Sequence, residues 1–95
     1  RSSTVPFEWT VGANASKRTP SFEMPSGGYI TVDVSVEPTD LKVNAGIVEP
    51  NGEKRYITGS DTIHHSFSLD QSGGYMVFVE NPNSVKVSVE GYYKK

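Results

Sequence analysis

Apolar and polar residues alternate with a period of two along most of this chain. The clearest stretch is Tyr29-Ile30-Thr31-Val32-Asp33-Val34-Ser35-Val36. As an extended strand it puts Ile30, Val32, Val34 and Val36 on one side and Tyr29, Thr31, Asp33 and Ser35 on the other. A one-residue slip would turn every one of those apolar side chains to water, so the register is strongly specified. Leu41, Val43, Ala45 and Ile47 repeat the pattern, as do Ile63, His65, Phe67 and Leu69, and Val85, Val87 and Val89. Phe7-Glu8-Trp9-Thr10-Val11 opens the series with three apolar residues on one face. Tyr75-Met76-Val77-Phe78-Val79 is apolar on both parities, as a strand covered on both sides or lying at a partner surface would be, and is the expected central strand.

The runs are separated by Pro25-Ser26-Gly27-Gly28, Glu37-Pro38-Thr39-Asp40, Pro50-Asn51-Gly52, Gln71-Ser72-Gly73-Gly74 and Asn81-Pro82-Asn83-Ser84. Asn51-Gly52 is the strongest hairpin signal, because both residues tolerate positive φ; it leads into a short strand around Arg55–Thr58. Pro20 confines the first half of the Lys17–Met24 run to an edge or bulge, leaving Ser21–Met24 as a strand. Gly46, at the parity opposite Val43, Ala45 and Ile47, signals a bulge or a close backbone approach. No 3.6-residue periodicity appears. The pattern predicts an all-β fold, an antiparallel β-sandwich that is jelly-roll-like and has about seven to eight strands. The expected core is Phe7, Trp9, Ile30, Val32, Val34, Val43, Ile47, Phe67, Leu69, Tyr75, Val77, Val79, Val87 and Val89. Tyr92 to Lys95 are expected to trail out after the last strand.

Ninety-five residues supply one domain, read as residues 6–95 behind a polar linker over residues 1–5. The net charge is −2 and the nine basic residues are scattered, which is not the concentrated positive stripe that nucleic acid requires. There is no cysteine, so disulfides, thiolate metal sites and cysteine nucleophiles are excluded. No apolar run approaches the ~20 residues of a membrane helix, so membrane insertion is not expected. Arg1-Ser2-Ser3-Thr4 resembles the tail of a linker, and nine Gly with six Pro suit an extracellular β-module. The expectation is an extracytoplasmic, secreted or cell-surface fragment of a longer chain, monomeric by itself.

Candidate chemistry is sparse. His64 and His65 are adjacent and so point to opposite faces of a strand, which does not suit joint ligation of one ion; His65 is expected to fill an apolar-face position with a hydrogen-bond partner and His64 to be solvated. Glu37, Asp40, Glu49, Glu53, Asp61 and Glu80 lie near turns, but no Asp-x-Asp-x-Asp calcium loop accompanies them. No Gly-x-Ser-x-Gly elbow is present, and a 95-residue sandwich rarely provides the cleft that paired carboxylates need. Asn14-Ala15-Ser16 matches a glycosylation sequon. No catalytic, cofactor or metal residue is assigned. The outward parity of Tyr29, Thr31 and Asp33, with Met76, Phe78 and Tyr92, marks a possible contact surface.

Ser26-Gly27-Gly28-Tyr29-Ile30-Thr31-Val32, Gly46-Ile47-Val48-Glu49-Pro50-Asn51-Gly52, Ser72-Gly73-Gly74-Tyr75 with Met76 to Asn81, and Val85-Lys86-Val87-Ser88-Val89-Glu90-Gly91 follow one another in an order similar to the pre-peptidase C-terminal domains of secreted proteases. The stretch from Phe22 to Tyr93 also resembles the C-terminal segment of antirepressor-type membrane metallopeptidases, a bacterial extracytoplasmic setting. The resemblance implies a non-catalytic accessory module that contacts other domains of its parent protein or a cell-surface polymer. It carries over no peptidase activity, since His-Glu-x-x-His is absent, and the Asp-rich loops of calcium-binding pre-peptidase modules are missing. The alternative is a carbohydrate-binding module using exposed tyrosines and loop asparagines.

Overall fold

The computed structural model describes residues 3–95 and contains nine strands: β1 (Thr4–Val11), β2 (Ser16–Arg18), β3 (Phe22–Met24), β4 (Tyr29–Glu37), β5 (Val43–Val48), β6 (Lys54–Gly59), β7 (Thr62–Ser68), β8 (Gly73–Glu80) and β9 (Val87–Lys94). They form two antiparallel sheets. The front sheet has the order β1-β9-β4-β7, and the back sheet β2-β8-β5-β6 with β3 also on β8. β2 and β3 behave as one bulged strand. Arg18 faces Phe78 and Phe22 faces Tyr75, so the edge advances four residues while β8 advances three, and the extra residue falls around Pro20. Thr19 covers the break: its N–H donates to the Val77 carbonyl at 2.9 Å, and its hydroxyl accepts from the Val77 N–H at 3.0 Å. With β2–β3 counted once, the pairs β1·β9, β2–β3·β8, β4·β7 and β5·β6 nest inside one another, which is the jelly-roll order.

The core lies between the sheets and is built from the inward parities. Ile30, Val32, Val34 and Val36 meet Val43, Ala45 and Ile47 across it, with Tyr75, Val77 and Val79 from β8 and Val87 and Val89 from β9. All of these are buried, as expected, while Phe7 and Trp9 are only half-buried because β1 is an edge strand. Their rings lie 4.6 Å apart, and Phe22 stacks on Tyr93 at 5.4 Å, so aromatics close that side of the sandwich. Pro6 fits in β1 for a definite reason. Ser3 and Lys95 exchange both backbone bonds, at 2.8 and 3.0 Å, so alternation along the ladder turns the backbone of Thr4, Pro6, Glu8 and Thr10 away from β9, where a missing N–H interrupts nothing.

The Asn51-Gly52 hairpin forms with Gly52 at φ 89°, its N–H donating to the Glu49 carbonyl at 2.8 Å. Gly46 is the expected close approach: a Cβ there would run into the backbone of Arg55 and Tyr56.

Several boundaries differ from the sequence pattern. β1 begins at Thr4, inside the segment read as linker; Arg1 and Ser2 lie outside the described residues. β5 starts at Val43, leaving Leu41 half-buried before it. The last strand starts at Val87, so Val85 is exposed, and it continues to Lys94 with Tyr93 buried. Tyr92 to Lys94 do not trail out because β9 is an interior strand with β1 on one side and β4 on the other. His65 keeps core parity but is exposed, whereas Ile63 and Phe67 on either side of it at that parity are buried; its ring packs against Phe67 at 4.7 Å, and no side-chain hydrogen bond to it is present among the described residues.

Candidate functional site

The six residues of outward parity do not form one surface. Tyr29, Thr31, Asp33 and Tyr92 stand on the outer face of the front sheet, and Met76 and Phe78 on the outer face of the back sheet, with the whole core between them.

On the front face the strand register organises the side chains. The Leu69 N–H donates to the Gly28 carbonyl at 3.0 Å, and alternation from that bond makes Thr31–Ser66 and Asp33–His64 non-bonded backbone pairs. Such pairs bring Cα atoms to ~4.5 Å, close enough for short side chains to meet. They do meet: Thr31 Oγ1 and Ser66 Oγ are 2.8 Å apart, and His64 Nδ1 lies 2.8 Å from Asp33 Oδ2. Asp33 also faces Tyr92 on β9, whose half-buried ring has the Lys94 ammonium 5.9 Å from its centroid. Tyr29, at the start of β4, is 63% exposed. Next to Tyr92 a shallow hollow is lined by Pro6, Glu8, Ser35 and Glu90. The face is therefore open and made of hydroxyls, the Asp33–His64 pair, two tyrosine rings and the further charged side chains of Glu8, Glu90 and Lys94.

The back face has the opposite character. Phe78 is 1% exposed although it points away from the core. Gly46 is its neighbour on β5, and the missing side chain leaves room for rings to lie down: Tyr56 meets Phe78 edge-on at 6.2 Å and the Lys54 ammonium sits 5.2 Å from the Phe78 centroid. Lys54 is held there by Glu80 at 2.8 Å. That hydrogen bond, with a second from Asn44, keeps the Glu80 carboxyl below the usual glutamate range against the opposing effect of burial. Met76 is half-buried beside this cluster. Its apolar residues thus have a cover supplied by the chain's own β6.

Among residues not singled out by pattern, Asn81 and Arg55 carry most of the polar architecture. The buried Asn81 amide donates to the carbonyls of Val11, Gly12 and Val85 at 2.8–3.1 Å, and its carbonyl accepts from the Asn83 N–H and side chain, tying the β1–β2 turn to the β8–β9 loop. Asn83 donates in addition to the Lys42 carbonyl at 2.8 Å. Both loop asparagines are engaged in holding backbone. Arg55 bridges the sheets, with Glu49 at 3.3 Å and the Ser68 carbonyl at 2.6 Å. The one sequence signal that could have found Asn81 is an asparagine before proline in a turn, where its side chain can hydrogen-bond nearby backbone. Burial raises the Tyr75 phenol above its ordinary range, and its hydroxyl donates to the Gln71 carbonyl at 2.6 Å. Among the described residues no three His, Asp or Glu side chains are grouped to hold a metal ion. Asn14, the sequon residue, is exposed in the turn after β1 at φ 55°.

No protein-family model and no curated protein matches the chain.

Proposed function

We propose that this chain is a non-catalytic accessory module of a larger extracytoplasmic bacterial protein, and that it makes contact through the outer face of its front sheet. One observation carries the reading: Tyr29, Thr31, Asp33 and Tyr92 lie on adjacent strands of one open face, with Asp33 and Thr31 held by short bonds to His64 and Ser66. Side chains already ordered in this way lose less conformational freedom on binding than free ones. The extracytoplasmic setting is supported by the nine Gly and six Pro of this β-module and by the resemblance to pre-peptidase modules. The partners are other domains of the parent protein or a cell-surface polymer. A sugar-binding reading rests on the same tyrosines, because the amides of Asn81 and Asn83 are taken up by backbone acceptors.

The test is titration of the isotopically labelled domain with cell-wall polysaccharides and, separately, with the parent protein's remaining domains. Resonances of Tyr29, Asp33, His64 and Tyr92 are expected to move together with one titrant while those of Tyr56 and Phe78 stay in place. Perturbation by the polysaccharide alone selects the sugar-binding reading. No response at the front face to either titrant overturns the assignment.

A further inference from the structure

The four sheet edges are not equivalent. The outward backbone of β1 includes Pro6, and the β2–β3 edge breaks at Pro20, so neither presents an unbroken row of donors and acceptors. On β7 the Ser68 carbonyl is taken by Arg55, while the outward groups of His64 and Ser66 are left unpaired among the described residues. What sets β6 apart is an unpaired edge flanked by exposed apolar side chains. The Glu49 N–H donates to the Glu53 carbonyl at 2.8 Å, and alternation from that bond makes Arg55, Ile57 and Gly59 the residues that bond to β5. The N–H and C=O groups of Lys54, Tyr56 and Thr58 therefore point away from the sheet, and no strand pairs with them among the described residues. Beside them Tyr56 and Ile57 are 48% and 37% exposed. The two cations of β6 are neutralised within the chain, Lys54 by Glu80 and Arg55 by Glu49, so they do not repel an incoming strand as free edge lysines do.

We infer that β6 pairs antiparallel with β6 of a second copy of this chain, Tyr56 opposite Tyr56, joining two back sheets into one continuous sheet. Only another extended backbone complements the alternating donors and acceptors of such an edge. Charge and the overlap of β6 with itself select a self-pairing register: an axis at Thr58 would pair only residues 57–59 of the strand. A two-fold axis at Tyr56 sets Lys54 against Thr58 and Arg55 against Ile57, with no like charges opposed. An axis at Arg55 would oppose two arginines, and one at Ile57 would set Glu53 against Asp61, both destabilising. The same axis brings the exposed Tyr56 rings together and covers Ile57 on the other side of the sheet. This pairing differs from the monomer expected from the sequence.

The chain has no cysteine, so single-cysteine variants read the register directly. Bonded antiparallel partners have Cα atoms ~5.5 Å apart, within disulfide reach, whereas residue 58 lies about 13 Å from its own copy in this register. Under mild oxidation Tyr56→Cys is expected to form a covalent dimer at least ~10-fold faster than Thr58→Cys. In sedimentation equilibrium the unmodified chain is expected to show a reversible monomer–dimer distribution. Thr58→Pro deletes two symmetry-related edge bonds and the Thr58 hydroxyl's bond to Asn44 while leaving the backbone bonds to β5, as Pro6 leaves those to β9, and is expected to weaken the dimer roughly 10-fold or more. Its melting curve verifies that it folds, and the cysteine pair decides the matter if it does not. Monomer mass at every concentration, association unchanged in folded Thr58→Pro, or equal cross-linking of the two cysteine variants overturns the proposal.

Discussion

The two outer faces of this sandwich are both made of residues at outward parity, yet one is open and the other is a second, small core. On the front face outward polar residues of β4 and β7 satisfy one another across strands, Thr31 with Ser66 and Asp33 with His64, and Tyr29 stands in the open. On the back face one glycine, Gly46, removes the side chain that would stand between Phe78 and Tyr56, and the ring of Phe78 is buried beneath Tyr56 and Lys54. Parity tells which side of a sheet a residue takes, and what its neighbours on the adjoining strands carry tells whether that side is wet.

The comparison is broken most directly by truncating one aromatic on each face. Phe78→Ala is expected to cost ~3 kcal/mol or more, as for a buried ring, and Tyr29→Ala within about 0.5 kcal/mol. Equal losses in denaturant melts would mean that the back face is as open as the front. Gly46→Ala comes next. The added methyl meets backbone at Arg55 and Tyr56, which cannot swing aside as a side chain would, and the expected loss is ~1–3 kcal/mol, seen as a lowered unfolding midpoint.

The ion pairs sharpen the contrast with smaller effects. Because the folded-state pKa of Glu80 is depressed, its contribution is present above the ordinary glutamate value of 4.5 and disappears as pH falls through the lowered value. Lys54 is more than a third exposed, so the contribution is below about 1 kcal/mol; melts of Glu80→Gln should lack this acid-side slope, and an unchanged slope would count against the pair. Smallest is Asp33→Asn on the front face. With the His64 side chain 58% exposed, the substitution is expected to shift stability by no more than ~0.5 kcal/mol while altering any ligand titration of that face. A large stability loss would show that this pair supports the fold instead.

Much of the fold was legible in the chain. Period-two alternation in β4 specified the buried parity, because only one register hides all three of its valines. Asn51-Gly52, Pro20 and Gly46 announced the hairpin, the bulge and the close approach through their own backbone restrictions. Edge position was not legible. On the edge strand β7 His65 is exposed while Ile63 and Phe67, at the same core parity, are sealed, and parity alone did not separate them.

The sequence by itself therefore determined the class, the strand parities and the turns, since these depend on each residue's φ/ψ preference and on which side chains must leave water together. The tertiary structure alone decided that Tyr29 and Tyr92 share a face, that Phe78 is covered and that β9 extends through Tyr93. Each of those depends on which strand lies beside which. In a jelly roll those neighbours come from opposite ends of the chain, β1 beside β9 and β2 beside β8, and local sequence carries no information about contacts at that separation.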